Sequence, residues 1–126
     1  MIGIIICHKS LAFDLIDTAH TILGQKEDLY GFSNDKITTE EAVAIIKSYI
    51  ESIGNPENII FMVDLRGGNC WTIAKILARS HPGYFVLSGV NLPMIFSFLT
   101  KKRDLSALDL VHIIEKDAHR GILLEQ

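Results

Sequence analysis

The 126-residue chain reads as an α/β domain with an open, mostly parallel sheet and helices on both faces. Three observations predict this. Apolar runs alternate with amphipathic helical stretches from one end to the other. The two strongest runs, Ile2–Cys7 and Ile59–Val63, are continuously apolar, as expected of strands buried on both faces. Finally, no linker, internal repeat or low-complexity segment interrupts the pattern, so residues 1–126 form one domain of ordinary size.

Ile2–Cys7 is the first strand. Ser10 stands where it can cap a helix running to about Leu23, with Leu11, Leu15, Ile16, Ala19 and Leu23 on one face, and Gly24 ends it. A weaker strand over Asp28–Phe32 leads to Thr38-Thr39-Glu40-Glu41, whose hydroxyls and early acids mark the start of a helix to about Ile53. Gly54-Asn55-Pro56 forces a turn before the strand Ile59–Val63. Asn69–Arg79 is a third helix, and Tyr84–Ser88 follows the Pro82-Gly83 turn as a fourth strand. Gly89-Val90-Asn91-Leu92-Pro93 feeds a helix through about Leu99, Leu105–His119 is the last helix, and Gly121–Leu124 has the composition of a short final strand.

The bulk composition excludes several functions. A net charge of −3 with no basic stripe argues against a nucleic-acid binder; Lys101-Lys102-Arg103 is followed at once by Asp104 and reads as a solvated helix end. No apolar stretch approaches the roughly 20 residues that cross a bilayer, and the start lacks the basic leader of a signal peptide. A cytoplasmic location is expected. Cys7 and Cys70 are too few for a zinc framework and are expected to be reduced thiols, each beside a strand end.

Candidate chemistry gathers where the two strong strands stop. His8 follows the first run, and Asp64 follows the second, leading through Leu65-Arg66 into Gly67-Gly68-Asn69. In open α/β sheets ligands bind beyond the carboxyl ends of the strands, so a histidine and a carboxylate meet there if these strands are neighbours. A neutral imidazole can act as nucleophile, base or ligand, and a carboxylate on one ring nitrogen fixes the tautomer and leaves the other free to attack. Gly67, Gly68 and Asn69 ahead of a helix offer backbone N–H groups and a helix dipole to an anion such as phosphate. Together the three features make a phosphoryl-accepting histidine site. Taken singly, Asp64 equally suits capping the turn, and the glycines equally suit forming it.

The other histidines carry less. His20 borders the apolar stripe of the first helix, His81 precedes Pro82 in an exposed turn, and His112 and His119 are spaced too widely for a metal pair, so no metal or organic cofactor is expected. Trp71 reads as a packing residue. No Gly-Lys-Ser/Thr phosphate loop, Gly-x-Gly-x-x-Gly or Gly-x-Ser-x-Gly occurs. A cysteine phosphatase would need an arginine where Phe13 or Ile76 stands, and a phospho-receiver would need acidic magnesium ligands where His8-Lys9 stands.

With His8 after the first strand, Asp64-Leu65-Arg66-Gly67-Gly68 after the third and Gly89-Val90-Asn91-Leu92-Pro93-Met94 after the fourth, the chain resembles, over its whole length, the enzyme IIA components of the mannose family of the bacterial sugar phosphotransferase system. The Gly-Val-Asn-x-Pro-Met stretch is the most specific part of the likeness. The resemblance implies that His8 takes a phosphoryl group from the phosphocarrier HPr and passes it to an enzyme IIB partner while Asp64 orients the ring. It implies only indirect dealings with a membrane permease. It also implies a homodimer whose four-stranded parallel sheets exchange a C-terminal antiparallel strand, here Gly121–Leu124.

Departures are visible. The family commonly has a small or hydroxyl residue before the histidine and glycine after it, where this chain has Cys7 and Lys9. Many members read Gly-Gly-Ser-Pro where this one reads Gly67-Gly68-Asn69-Cys70; Asn69 is a competent helix cap but removes a serine hydroxyl. Lys9 and Arg66 suit either charge near a phosphate or plain surface positions. Two alternatives remain: the related phosphoryl-donor subunit of dihydroxyacetone kinase, which usually carries an Asp-Leu-Gly-Ser-like segment, and a regulatory module whose phosphorylation state controls a partner. With no enzyme IIB domain following in this sequence, a separate acceptor is expected.

Overall fold

The computed structural model describes residues 1–79 and 81–126. Among the described residues nine elements follow one another, strand and helix alternating as far as α4: β1 (Ile2–Cys7), α1 (Leu11–Leu23), β2 (Leu29–Ser33), α2 (Thr39–Ser52), β3 (Ile59–Val63), α3 (Asn69–Ala78), β4 (Tyr84–Ser88), α4 (Leu92–Lys101) and α5 (Ala107–Arg120). The strands form one sheet in the order β2-β1-β3-β4, with every pairing parallel. The sense in which strands are added therefore reverses between β1 and β3: β1 leads outward to β2 through α1, and β3 leads outward to β4 through α3. Right-handed crossovers then send α1 and α3 to opposite faces.

Side-chain packing follows from that topology. One face carries Ile5, Cys7, Ile60 and Met62 against α1, α4 and α5, with Phe98 and Leu110 at its centre. The other carries Ile4, Ile6, Phe61 and Val63 against Ala42 and Ile46 of α2 and Ile73 and Ala74 of α3. The unbroken apolar runs have their explanation here: β1 and β3 are buried along both faces. Each fully buried Ile or Phe contributes roughly 1.5–3 kcal/mol, so these central strands hold much of the sheet's burial energy.

Helix starts are set by individual side chains. Thr38 and Glu41 form a reciprocal capping box on α2. Ser106 accepts from Asp109 N–H at α5, and Asn91 accepts from Met94 N–H at α4 while donating to the Ala118 carbonyl, which ties α4 to the end of α5. The Gly-Val-Asn-x-Pro-Met stretch thus acts here as a helix start and interhelix clamp. Gly121 lies against it, since a Cβ there would stand 2.5 Å from Pro93 Cγ.

Several sequence expectations are corrected. Ser10 occupies the cap position of α1 without capping it, because its hydroxyl donates to the Asp14 carboxylate instead. Lys102 is buried, not solvated: its ammonium reaches the Glu27 carbonyl and lies 3.1 Å from Asp28. His81 is half-buried and stacked on Tyr84 at 3.8 Å between ring centroids, with Nδ1 accepting from Gly83 N–H. Gly121–Leu124 is a separate case, because its expected partner strand belongs to a second subunit: among the described residues of this one chain it pairs with no strand, and Ile122, Leu123 and Leu124 are 80%, 74% and 85% exposed. A strand needs a neighbour to satisfy its backbone, and the free outer edge of β4 is not met by this segment.

Candidate functional site

Register places the first two site residues. β1 and β3 pair Ile6 with Val63, so Cys7 and Asp64 come next side by side and His8 follows one position on, at the carboxyl end of the sheet where the connections diverge. Asp64 Oδ2 accepts from the backbone N–H of His8 at 2.9 Å and lies 2.7 Å from His8 Nδ1. The histidine side chain is 51% exposed and the aspartate 15%. Burial pushes the Asp64 carboxyl up, but hydrogen bonds from the His8 backbone and side chain outweigh it and hold it below the usual carboxylate range. An ionised carboxylate only accepts, so in the neutral ring the proton sits on Nδ1 and the Nε2 lone pair is free.

The turn after His8 is tight. Lys9 takes φ +51°, a left-handed conformation that glycine adopts without strain and other residues only at a cost of about 1–2 kcal/mol. A glycine would adopt this turn without strain, so Lys9 holds it at a cost.

The glycine segment differs in detail from expectation. Gly67 has φ +78°, and the Gly68 N–H is already bonded to the Leu65 carbonyl at 3.2 Å, so Gly68 shapes the turn and is not a free donor. Thr72 N–H closes the first helical bond onto Gly68 O, leaving the N–H groups of Asn69, Cys70 and Trp71 as the orphan donors of the helix start. Gly68, not Asn69, is the cap residue of α3. Asn69 turns its side chain sideways: Oδ1 accepts from Asn34 at 3.2 Å and Nδ2 donates to Thr39 Oγ1 at 2.8 Å. It therefore ties α3 to the β2–α2 connection, a role its position in the sequence did not disclose.

Cys70 is the site member the sequence left without a role. Its buried Sγ lies 3.7 Å from His8 Nδ1, which brings the first turn of α3 against the imidazole. Its one sequence signal is its place in the first turn of the helix following the Asp64 strand. Burial, reinforced by the Asp64 charge, pushes the Cys70 thiol up to about 12. Cys7 is likewise pushed up to about 12, by burial first and then by Asp64, and it packs on the opposite face of the sheet from Cys70. His8, Asp64 and Cys70 offer three potential metal-ligating atoms within 4.8 Å of one another. His112 and His119 are exposed on α5 and belong to no such group among the described residues.

Lys9 and Arg66 flank this centre on opposite sides. Lys9 lines a depression with Phe13, Ser33 and Lys36 beside β2; Arg66 lines one with Trp71, Lys75 and Arg79 beside β4. Trp71 packs partly against the α2/α3 face, with the Lys75 ammonium 5.9 Å from its ring centre.

Residues 3–115 match the family model described as the PTS system fructose IIA component. The PTS system sorbose-specific EIIA component of Klebsiella pneumoniae is 30% identical over 128 aligned positions, covering 100% of this chain and 93% of that protein. The PTS system mannose-specific EIIAB component of Escherichia coli K12 is 28% identical over 119 positions. That match takes in 91% of this chain but only 36% of the relative, so the chain spans about a third of its length. Among solved structures, a phosphotransferase system component EIIA from Streptococcus agalactiae superposes with a TM-score of 0.87 at 21% identity, covering 98% of this chain and 95% of that one. The mannose/sorbose-specific IIA subunit from Enterococcus faecalis gives 0.84 at 16% identity, covering 99% and 94%.

Proposed function

The chain belongs to the mannose-type enzyme IIA family of the sugar phosphotransferase system, and on that premise we propose that it carries a phosphoryl group on His8 Nε2, received from HPr and delivered to an enzyme IIB partner. The observation that carries the reading is the 2.7 Å contact between Asp64 Oδ2 and Nδ1 of a half-exposed ring. It commits Nδ1 to the carboxylate and turns the other nitrogen into the nucleophile.

The transfer needs no redox partner. The Nε2 lone pair attacks phosphorus, the bond from phosphorus to the donor imidazole breaks, and its electron pair returns to that ring. His8 becomes positively charged as the new bond forms, and Asp64 stabilises that charge across the Nδ1 proton. Orphan N–H groups at the start of α3, from Asn69 onward, offer hydrogen bonds to the anionic oxygens, with Gly67 and Gly68 keeping the approach free of side chains. Partner binding requires a surface site, which suits the exposure of His8. We assign the protein to the cytoplasm, where such carriers meet, with any membrane permease served only through the IIB partner. We further propose a homodimer in which Gly121–Leu124 finds on a second copy the strand neighbour it lacks here.

Intact-mass analysis after incubation with phosphoenolpyruvate, enzyme I and HPr tests the reading on parent and His8→Ala proteins. The expected result is one acid-labile phosphate on the parent and none on the variant. A folded parent that stays unmodified with its cognate partners refutes it. Discharge of the phosphoprotein by a dihydroxyacetone kinase in place of an enzyme IIB would keep the carrier chemistry and replace the acceptor.

A further inference from the structure

We propose that His8, Asp64 and Cys70 form a binding site for a thiophilic divalent cation of the zinc type, and that occupancy of this site and phosphorylation of His8 exclude one another. The exclusion half of this inference rests on His8 being the phosphoryl acceptor; the metal site itself does not.

The donor set is of the kind zinc takes: imidazole nitrogen, carboxylate oxygen and thiolate sulfur. Bond lengths of about 2.0–2.3 Å around a tetrahedral ion place neighbouring ligand atoms roughly 3.3–3.8 Å apart. His8 Nδ1 and Cys70 Sγ already stand 3.7 Å apart, and the nitrogen–oxygen pair at 2.7 Å would open by less than 1 Å. All three atoms fit within 4.8 Å. A second observation points the same way. Asp64 Oδ1 is sealed from solvent with no hydrogen-bond partner, an exception to the rule that buried acceptors are satisfied. A cation between His8 and Cys70 that this carboxylate grips through both oxygens would give Oδ1 the partner it lacks. The half-exposed imidazole leaves a path from solvent and a fourth position for water.

Exclusion follows from the proton count. A neutral imidazole carries one N–H. A cation on Nδ1 takes that nitrogen's lone pair and drives the ring proton to Nε2, which then has no lone pair for phosphorus; the Cys70 thiol releases one proton to solvent. In the phosphorylated protein Nε2 is bonded to phosphorus and the Nδ1 proton is held toward Asp64, so a cation reaches Nδ1 only by displacing that proton and giving up the charge-stabilising pair. One ring nitrogen is thereby the shared element of two ligands, and zinc would hold the carrier in its unphosphorylated form.

Cobalt(II) titration of the intact protein tests the site directly, because a thiolate ligand gives an intense sulfur-to-cobalt charge-transfer band. The expected result is that band at one equivalent in the parent and its loss in Cys70→Ala and Cys70→Ser, with circular dichroism confirming the fold of each. No band in the parent overturns the site, and so does a band that survives in both variants, since Cys7 would then be its source. The functional half is read as the phosphorylation rate with zinc divided by the rate without it, each protein against itself. The parent ratio should fall at least tenfold at saturating zinc, and the Cys70→Ala ratio should stay near one, with zinc-independent activity of enzyme I and HPr verified on another acceptor. A parent that binds cobalt through sulfur yet is phosphorylated equally fast with zinc overturns the exclusion. A parent that binds cobalt but is never phosphorylated refutes the carrier function and leaves the metal site standing.

Discussion

Replacing Asp64 with asparagine should slow phosphorylation roughly five- to thirtyfold. A loss of thousands, as expected when a catalytic imidazole adopts the wrong tautomer, is not anticipated. Oδ2 accepts from two donors at once, the His8 backbone N–H at 2.9 Å and Nδ1 at 2.7 Å, while Oδ1 accepts from none. An asparagine therefore has one favourable orientation, with its carbonyl oxygen in the Oδ2 place and its amide nitrogen in the Oδ1 place. The flipped amide would set its N–H against the backbone N–H of His8. The ring thus keeps its proton on Nδ1 and its lone pair on Nε2, and what disappears is the charge. A hydrogen bond to a charged group contributes about 1.5–3 kcal/mol against about 0.5–1.5 for a neutral one, a difference of about 1–2 kcal/mol in the state where the ring becomes cationic. Each 1.36 kcal/mol is tenfold in rate. Rapid-quench measurement of acid-labile phosphate at saturating phospho-HPr reads the step. Equal rates would remove Asp64 from the mechanism; a loss near ten-thousandfold would mean that the backbone clamp does not fix the tautomer.

Gly83→Ala should cost about 1–3 kcal/mol by overpacking, because a Cβ there would overlap the Glu57 carbonyl and lie 2.9 Å from Asn58 Oδ1; thermal melting should fall by several degrees, and an unchanged midpoint would contradict the close approach. Asp117 is held below the usual carboxylate range by hydrogen bonds from Lys101 and Ser97, against the opposing effect of burial. With its folded pKa below the unfolded value of about 3.9, it stabilises fully above that value and loses the contribution as pH falls further. The stability gap between parent and Asp117→Asn should be present at pH 7 and close below about pH 4, and a gap independent of pH would refute the assignment. Deleting residues 122–126 should leave the fold intact, since Ile122, Leu123 and Leu124 are exposed, while shifting the mass by light scattering from about twice 14.1 kDa to that of a single chain; a monomeric parent would remove the exchanged strand.

Periodicity made the fold legible because burial on both faces leaves no polar residue inside β1 or β3, and the helices between them keep an apolar face. Several element ends differ from expectation by one or two residues, while the starts of α1 and α3 fall where expected; what differs at those two starts is the partners the side chains take. Ser10 bonds to Asp14 and Asn69 to Thr39 and Asn34. Those choices depend on neighbours 4, 30 and 35 positions away, which residue type alone does not specify. Lys102 was misread for the same reason: its partners are the Glu27 carbonyl and Asp28 across the α1–β2 connection. His8 and Asp64 were legible because each breaks an apolar run at a strand end. Cys70 was not, since its place in the first turn of α3 does not by itself report that its sulfur turns toward the ring.

The coupling between core and site is geometric. Parallel pairing of Ile6 with Val63 sets Cys7 opposite Asp64, which leaves the Asp64 carboxylate one position short of His8 and within reach of its backbone N–H, and successive strand residues point to opposite faces. Slipping β3 by one residue would offer Leu65 or Val63 to the histidine and would turn Phe61 and Met62 out of their packed faces together. The register that buries Ile4, Ile5, Phe61 and Met62 at 0% exposure is thus the register that forms the clamp, and no separate folding event is needed to build it. Rigidity also accounts for the desolvated carboxylate. Asp64 is kept ionised by a backbone N–H at the end of β1, a donor that side-chain motion cannot withdraw, so the acceptor is ready before a partner arrives. Mutations that loosen β1–β3 pairing should consequently lower transfer more than equally destabilising changes on α5, where the contacts hold the sheet's cover and not its register.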